Sequence, residues 1–278
     1  MTQKPFLIIL LIASALVLGL YSLPKGVLSN KEKEKAPQAS AQPSSEPAAS
    51  ANNAESHAPT LTPDQQKQVT SARKQFEQAT SKPDKAKASE QLITVFAQAS
   101  RFDSAAYFAE VLVGLEPTLK NIVRAGDAYF GAFQFSMNDA KSAQLSQKAR
   151  EFYQKALDQN PGLLEVKTNM AMTYVSTSTP MQGILLLREV LEQDPDFEPA
   201  LFNLGMLSMQ SNQFDKAAER FRQIVKNNPA NTKALFYLGI SLAELGKKAE
   251  ARQALEEVAR KDKDPNIQAA VKETLQKL

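Results

Sequence analysis

The sequence predicts an all-α solenoid: about five helix–turn–helix units with a capping helix at each end, preceded by one transmembrane helix and a flexible linker. Three observations carry this. Residues 6–23 form an uncharged apolar run, and residues 36–61 are a tract of Ala, Ser and Pro. From Thr62 onward apolar residues recur at spacings of three and four, and Pro161, Pro195 and Pro229 stand 34 residues apart.

The first element is Phe6 to Leu23, FLIILLIASALVLGLYSL, which as a helix spans roughly 27 Å at about 1.5 Å per residue, close to the thickness of a bilayer core. Lys4 and Lys25 flank it, and Tyr21 lies near the second border, where an amphipathic ring is favoured. The run reads as a membrane anchor. A cleaved signal peptide is the competing reading, but its apolar region is shorter as a rule and no clear A-x-A cleavage site stands before Pro24 and Lys25. Orientation cues oppose each other. Lys25, Lys31, Lys33 and Lys35 against Lys4 favour a cytoplasmic carboxyl side, while Glu32 and Glu34 alternate with those lysines. The absence of cysteine and the linker composition favour the outer side of a bacterial inner membrane. The expected location is that membrane, with the helical domain leaning periplasmic and the orientation open.

Residues 36–61 contain eight Ala, five Ser and four Pro, with Leu61 as the single bulky aliphatic side chain. Such a segment buries too little surface to offset its ordering entropy, so it is expected to act as a solvated tether stiffened by its prolines. At Thr62 the texture changes. Thr62-Pro63-Asp64-Gln65 supplies an N-cap, proline in the first turn and a capping-box glutamine, so a helix starts here. Val69, Ala72 and Phe76 are expected on its inner face. At the other end Asp264-Pro265 opens a last helix with Ile267, Val271, Leu275 and Leu278 on one face.

Between the caps the 34-residue step links residues of one class: Leu204 with Leu238, Gly205 with Gly239, Ala217 with Ala251, and Leu187 with Phe221 and Leu255. These residues resemble the tetratricopeptide repeat family, whose unit is a 34-residue helix–turn–helix. Glu198 to Asn231 carries the resemblance best, with Leu201, Leu204-Gly205, Phe214, Ala217, Phe221, Ile224 and Pro229. The next unit departs at Lys248, where an aromatic residue is usual, and at Lys263, where the proline would stand. In the unit before, Gly183 replaces the small alanine and Pro180 opens the second helix, with Thr179 as its expected cap. Pro117 precedes Pro161 by 44 residues, so one unit is enlarged around Ser136 to Leu145, as a longer helix pair or an exposed loop.

The expected boundaries are 1–5 for a short tail, 6–23 for the membrane helix, 24–61 for the linker and 62–85 for the first cap. The five units then occupy 86–119, 120–163, 164–197, 198–231 and 232–265, and the last cap 266–278. Gly205, Ala217, Gly239 and Ala251 are the small residues that let two helices approach, and Leu201, Phe221, Leu235 and Leu255 fill the space beside them.

The resemblance implies that the first helix of each unit lines a concave, protein-binding surface. Once the packing stripe of the fourth unit is assigned, Phe202, Met206 and Met209 remain on an adjacent face. Their equivalents are Thr168, Met172 and Val175 one unit earlier, and Phe236, Ile240 and Ala243 one unit later. The candidate peptide-binding groove is therefore Met172, Phe202, Met206, Met209, Phe236 and Ile240, with burial between neighbouring helices as the alternative. A clamp for an acidic carboxyl terminus would use cations and amides on this face. Asn169, Asn203 and Lys233, with Lys120 and Arg124, supply few of them.

Composition narrows the function classes. With no cysteine and one histidine, His57, neither a thiolate nor a multi-histidine metal site can be assembled, and no carboxylate constellation or glycine-rich phosphate loop suggests an enzyme. With 33 basic and 30 acidic side chains, the net charge of +3 is too small to suggest the positive stripe that nucleic acid demands. The expected function is a membrane-tethered, cofactor-free scaffold for protein–protein interaction. The alternative is a chaperone-like assembly or export factor that binds extended clients.

Overall fold

Twelve α-helices follow one another among the described residues, which in the computed structural model are 60–278 apart from 176 and 178. The expected tail, membrane helix 6–23 and nearly all of the linker lie outside the described residues. No helix within them is long and apolar enough to cross a membrane. The order is α1 (Pro63–Gln78), α2 (Lys82–Gln98), α3 (Phe102–Leu115), α4 (Leu119–Gln134), α5 (Asp139–Gln159) and α6 (Leu164–Val175), followed by α7 (Pro180–Gln193), α8 (Glu198–Gln210), α9 (Phe214–Asn227), α10 (Thr232–Glu244), α11 (Lys248–Lys261) and α12 (Pro265–Lys277). Helices α2 to α11 form five successive pairs, and α1 and α12 flank them: an all-α solenoid of paired helices.

Six of the twelve helices start at a side-chain acceptor. Thr62 and Gln65 close a reciprocal capping box, at 3.2 Å and 2.9 Å. Ser81, Thr118, Asn138, Asn231 and Asp264 cap α2, α4, α5, α10 and α12 through their side-chain oxygens. The Ser81 cap, with Pro83 in the first turn, starts α2 at Lys82. Thr179 does not cap α7. Its hydroxyl instead lies 3.1 Å from that of Thr177.

Three of the five pairs turn by the same device. Ser100, Asn212 and Gly246 adopt left-handed backbone, with φ of 56°, 57° and 71°. In each turn the next residue's N–H reaches back to a helical carbonyl: Arg101 to Phe96, Gln213 to Ser208, Lys247 to Leu242. A second bond runs from the left-handed residue itself to Ala97, Met209 or Ala243, completing a Schellman motif.

The pairs meet at a small residue set against a large one. A Cβ added at Gly205 would stand 2.7 Å from the Phe221 ring, one at Gly239 2.8 Å from Leu255, and one at Gly126 2.6 Å from Tyr153. These distances are below van der Waals contact, so glycine is required by space. The third unit puts the glycine on its second helix. A Cβ at Gly183 would stand 2.5 Å from the Ala171 carbonyl oxygen, so α6 and α7 touch through backbone. In the first unit the equivalent positions are Ile93 on α2 and Ala109 on α3, both buried.

The enlarged unit is a longer helix pair. α4 has 16 residues and α5 has 21, against 13 and 14 in α8 and α9. The buried core falls into three clusters, one from Val69 on α1 through Leu92, Leu112 and Tyr153, one around Leu187, and one from Phe221 and Leu255 to Val271 on α12, with half-buried Leu186 and Leu191 packed between neighbouring clusters. Polar ties reinforce it. Glu110 on α3 accepts from Tyr129 on α4 and from Lys148 on α5. Burial opposes its charge, but those two hydrogen bonds prevail and hold its carboxyl below the ordinary range.

Gly205→Ala is expected to lower stability by roughly 1 to 3 kcal/mol, the usual cost of overpacking. Adding Phe221→Leu, which recreates the natural Ala171 and Leu187 pairing of the third unit, should recover part of that loss. Urea unfolding of the two single variants and the double variant checks this. A double variant as unstable as the sum of the singles would contradict the packing.

Candidate functional site

The face formed by the first helices of the units, α4, α6, α8 and α10, carries the candidate site. Met172, Phe202, Met206, Met209, Phe236 and Ile240 are all half-buried. Five of them pack partly against the core, Met172 beside Leu187 and Leu204, and Phe202, Met206, Met209 and Phe236 beside the Phe221 cluster. Phe202 meets two rings edge to face, Phe221 and Tyr237, each with centroids 5.6 Å away. Its outer side is met by Lys233, whose Nζ lies 4.5 Å from the ring centroid. Part of each of these side chains is therefore fixed by the core, and part is left to solvent.

Two residues proposed as equivalents from the 34-residue step are not of this kind. Thr168 is buried at 1% exposure, and its hydroxyl has no hydrogen-bond partner among the described residues. Val175 faces its own pair partner: its Cγ2 would lie 3.1 Å from a Cβ at Gly183. The close approach of α6 and α7 draws this part of the third unit inward, so its share of the column shrinks to Met172.

Three of the five polar candidates are engaged within the chain. Arg124 on α4 pairs with Glu90 on α2 at 3.4 Å, and Asn169 on α6 donates to Asp127 on α4 at 3.4 Å. With Lys233 over Phe202, these contacts leave no cluster of cations and amides converging on one point, as a carboxylate clamp would need.

A cavity of about 460 Å³ opens between α4, the start of α6 and the turn that leads into α8. Its walls include Val123, Leu164 and Phe197, and its polar lining is acidic: Asp127, Glu165 and Asp194. Asp127 reaches solvent from within this concavity. The surrounding protein raises its carboxyl pKa above the usual value, and hydrogen bonds from Tyr153 and Asn169 only partly offset that. Desolvation, together with the Asp127 charge and its hydrogen bond, also pushes the Tyr153 hydroxyl up, so it stays a proton donor at neutral pH. Sequence reasoning passed over this cavity. Its available signals were Asp127 directly after the packing residue Gly126, and Glu165 seven residues before Met172 on the same helix.

Residues 202–266 match the tetratricopeptide repeat family. That stretch therefore carries tetratricopeptide repeats, whose domains are generally protein–protein interaction scaffolds. Among solved structures, a tetratricopeptide repeat protein from Parabacteroides merdae is 14% identical, with a TM-score of 0.57 over 77% of this chain and 79% of that one. TTC0263, a thermophilic tetratricopeptide repeat protein of Thermus thermophilus, is 14% identical, with a TM-score of 0.51 over 69% of this chain and 99% of that one. At these identities the likeness is one of fold. No curated protein matches the chain.

The buried hydroxyl of Thr168 supplies a direct check of its inward placement. Thr168→Val keeps the shape and removes an unsatisfied polar group, so it should raise stability by about 1 kcal/mol. A thermal melt shows this as a higher midpoint. A lower midpoint would mean that the hydroxyl has a partner and that Thr168 is misplaced in this account.

Proposed function

We propose that this protein is a membrane-tethered scaffold that holds an extended peptide segment of a partner protein against the first helices of its third, fourth and fifth units, within a membrane-associated complex. The observation that carries this reading is the half-burial of Met172, Phe202, Met206, Met209, Phe236 and Ile240 on three successive first helices. A partner's apolar side chains would complete the burial, and methionine and phenylalanine suit that role because both present large, adaptable contact surfaces. The inner parts of these residues are already fixed, so little ordering entropy opposes binding.

The test uses full-length protein in detergent and a display library of random dodecapeptides. Selection should enrich peptides with large apolar residues, and Met206→Gln with Ile240→Gln should weaken their binding at least tenfold while the melting temperature stays within a few degrees. Equal binding by the variant would remove this face from the function.

The tether reading is supported by the length and purity of the apolar run Phe6–Leu23 and by the Pro-rich tract that follows it. In this reading the repeats stand on the periplasmic side of a bacterial inner membrane. Full-length protein should stay in the membrane pellet through alkaline carbonate washing, and a tag fused after Leu278 should be open to protease added to spheroplasts. Release of intact protein into the wash would overturn the anchor, and a protease-protected tag would reverse the orientation.

A further inference from the structure

The two edges of the solenoid differ in what their turns expose. Successive helices are joined by turns of a few residues and run antiparallel, which places the start of α1 and the turns α2–α3, α4–α5 and α6–α7 on one edge, and the turns between units on the other. Phe102, just after the α2–α3 turn, and Phe135, in the α4–α5 turn, meet on that first edge as stacked rings with centroids 4.5 Å apart. Here Phe135 is 66% exposed, Met137 86%, and Met181 in the first turn of α7 56%. On the opposite edge no turn exposes a large hydrophobic side chain among the described residues. Its charged turn residues are Glu116, Asp194, Asp196, Asp262 and Asp264, with Lys263.

We propose that the first edge rests on the lipid bilayer to which the chain is tethered, with Phe135 and Met137 inserted at the boundary between headgroups and acyl chains, and Met181 making the same contact one unit further on. This rests on the membrane-tether reading and adds a second point of membrane contact to it. Under that reading the chain arriving from Phe6–Leu23 joins the solenoid at α1, whose start lies on this same edge. Contact of the α4–α5 turn with the bilayer is then intramolecular, so insertion of a few side chains, too weak to hold a free protein on a membrane, suffices.

The local build of the turn suits insertion. Phe135 is backed by Phe102, which itself packs against the core, so the apolar tip is held outward at little further cost in entropy. The charges beside it are balanced. Asp103 at the start of α3 is paired with Lys141 in α5, Asp64 in α1 with Lys67, and Arg101 stands against Asp139 in the count. Asp139 lies in the first turn of α5, where the helix dipole favours its charge. With no net charge on this edge, the contact is apolar and should be indifferent to salt. The helices run from edge to edge, so this seating stands them upright on the membrane and turns the first-helix face sideways, toward partners beside it.

The chain contains no tryptophan, so one introduced indole reports on a single position. The experiment uses full-length Met137→Trp and, separately, Gln159→Trp, at the far end of α5 and roughly 30 Å away at about 1.5 Å per residue. Both positions are exposed, so both variants should melt like wild type. Each is reconstituted into phosphatidylcholine vesicles, with and without lipid that carries a spin label high on the acyl chain, and its flotation with the vesicles is recorded. The indole at 137 should emit at shorter wavelength than the one at 159 and lose most of its intensity to the labelled lipid, equally at low and high salt. The indole at 159 should keep its intensity. Flotation with equal quenching at the two positions, or none at either, would overturn the bilayer contact and leave the anchor standing. A blue-shifted indole at 137 that labelled lipid does not quench would also overturn it, because protein, such as a second copy of the chain, would then cover the turn. Failure of both variants to float would overturn the anchor and this contact together.

Discussion

Two helices in each unit approach so closely that one of them can carry little or no side chain at the crossing, and the rest of the structure follows from that contact. Gly126 under Tyr153, Gly205 under Phe221 and Gly239 under Leu255 are the same arrangement in three units. Burying a large side chain over a bare stretch of backbone yields close packing, with dispersion and hydrophobic gains concentrated in one place. It also fixes how each pair is oriented for the next. Where the small residue moves to the second helix, at Gly183, the helices touch through the Ala171 carbonyl and the inner face of the unit changes with them.

That packing decides which side chains are available for binding. With Leu201, Leu204 and Gly205 turned toward α9 and the core, Phe202, Met206 and Met209 take the flank of α8 and are left half-covered. In the third unit Val175 is turned to Gly183 and Thr168 is buried, which shortens the apolar surface. The candidate site is thus a residue of packing: apolar side chains that the core holds from behind and does not cover in front.

Much of the fold was legible because repetition multiplies weak signals. One proline or one glycine says little, but Pro161, Pro195 and Pro229 in step with Gly205 and Gly239 specify a register. The capping box at Thr62 and the Asp264 cap were readable because a cap is a local contract between a few neighbouring residues. α2 begins at Lys82, ahead of the helical spacing of Ala86, Leu92 and Phe96, because Ser81 caps it and Pro83 suits its first turn. Thr179 failed as a cap because its hydroxyl turns to a neighbouring threonine, a competition within the turn that residue type does not reveal. The apolar column was legible for the fourth and fifth units, whose spacing is regular. The acidic cavity was not, because Asp127 belongs to the enlarged unit, Glu165 to the next first helix and Asp194 to a turn, and no constant step relates the three.

The claim that the first-helix face receives a partner is tested most directly by placing a photoreactive benzoylphenylalanine at Met206 and, in a separate protein, at the exposed Glu219 on the second helix of the same unit. After irradiation of intact cells, the account predicts one discrete adduct at position 206, mapped by mass spectrometry to a single extended segment of the partner, and none at 219. The same adducts at both positions, or adducts only at 219, would contradict it.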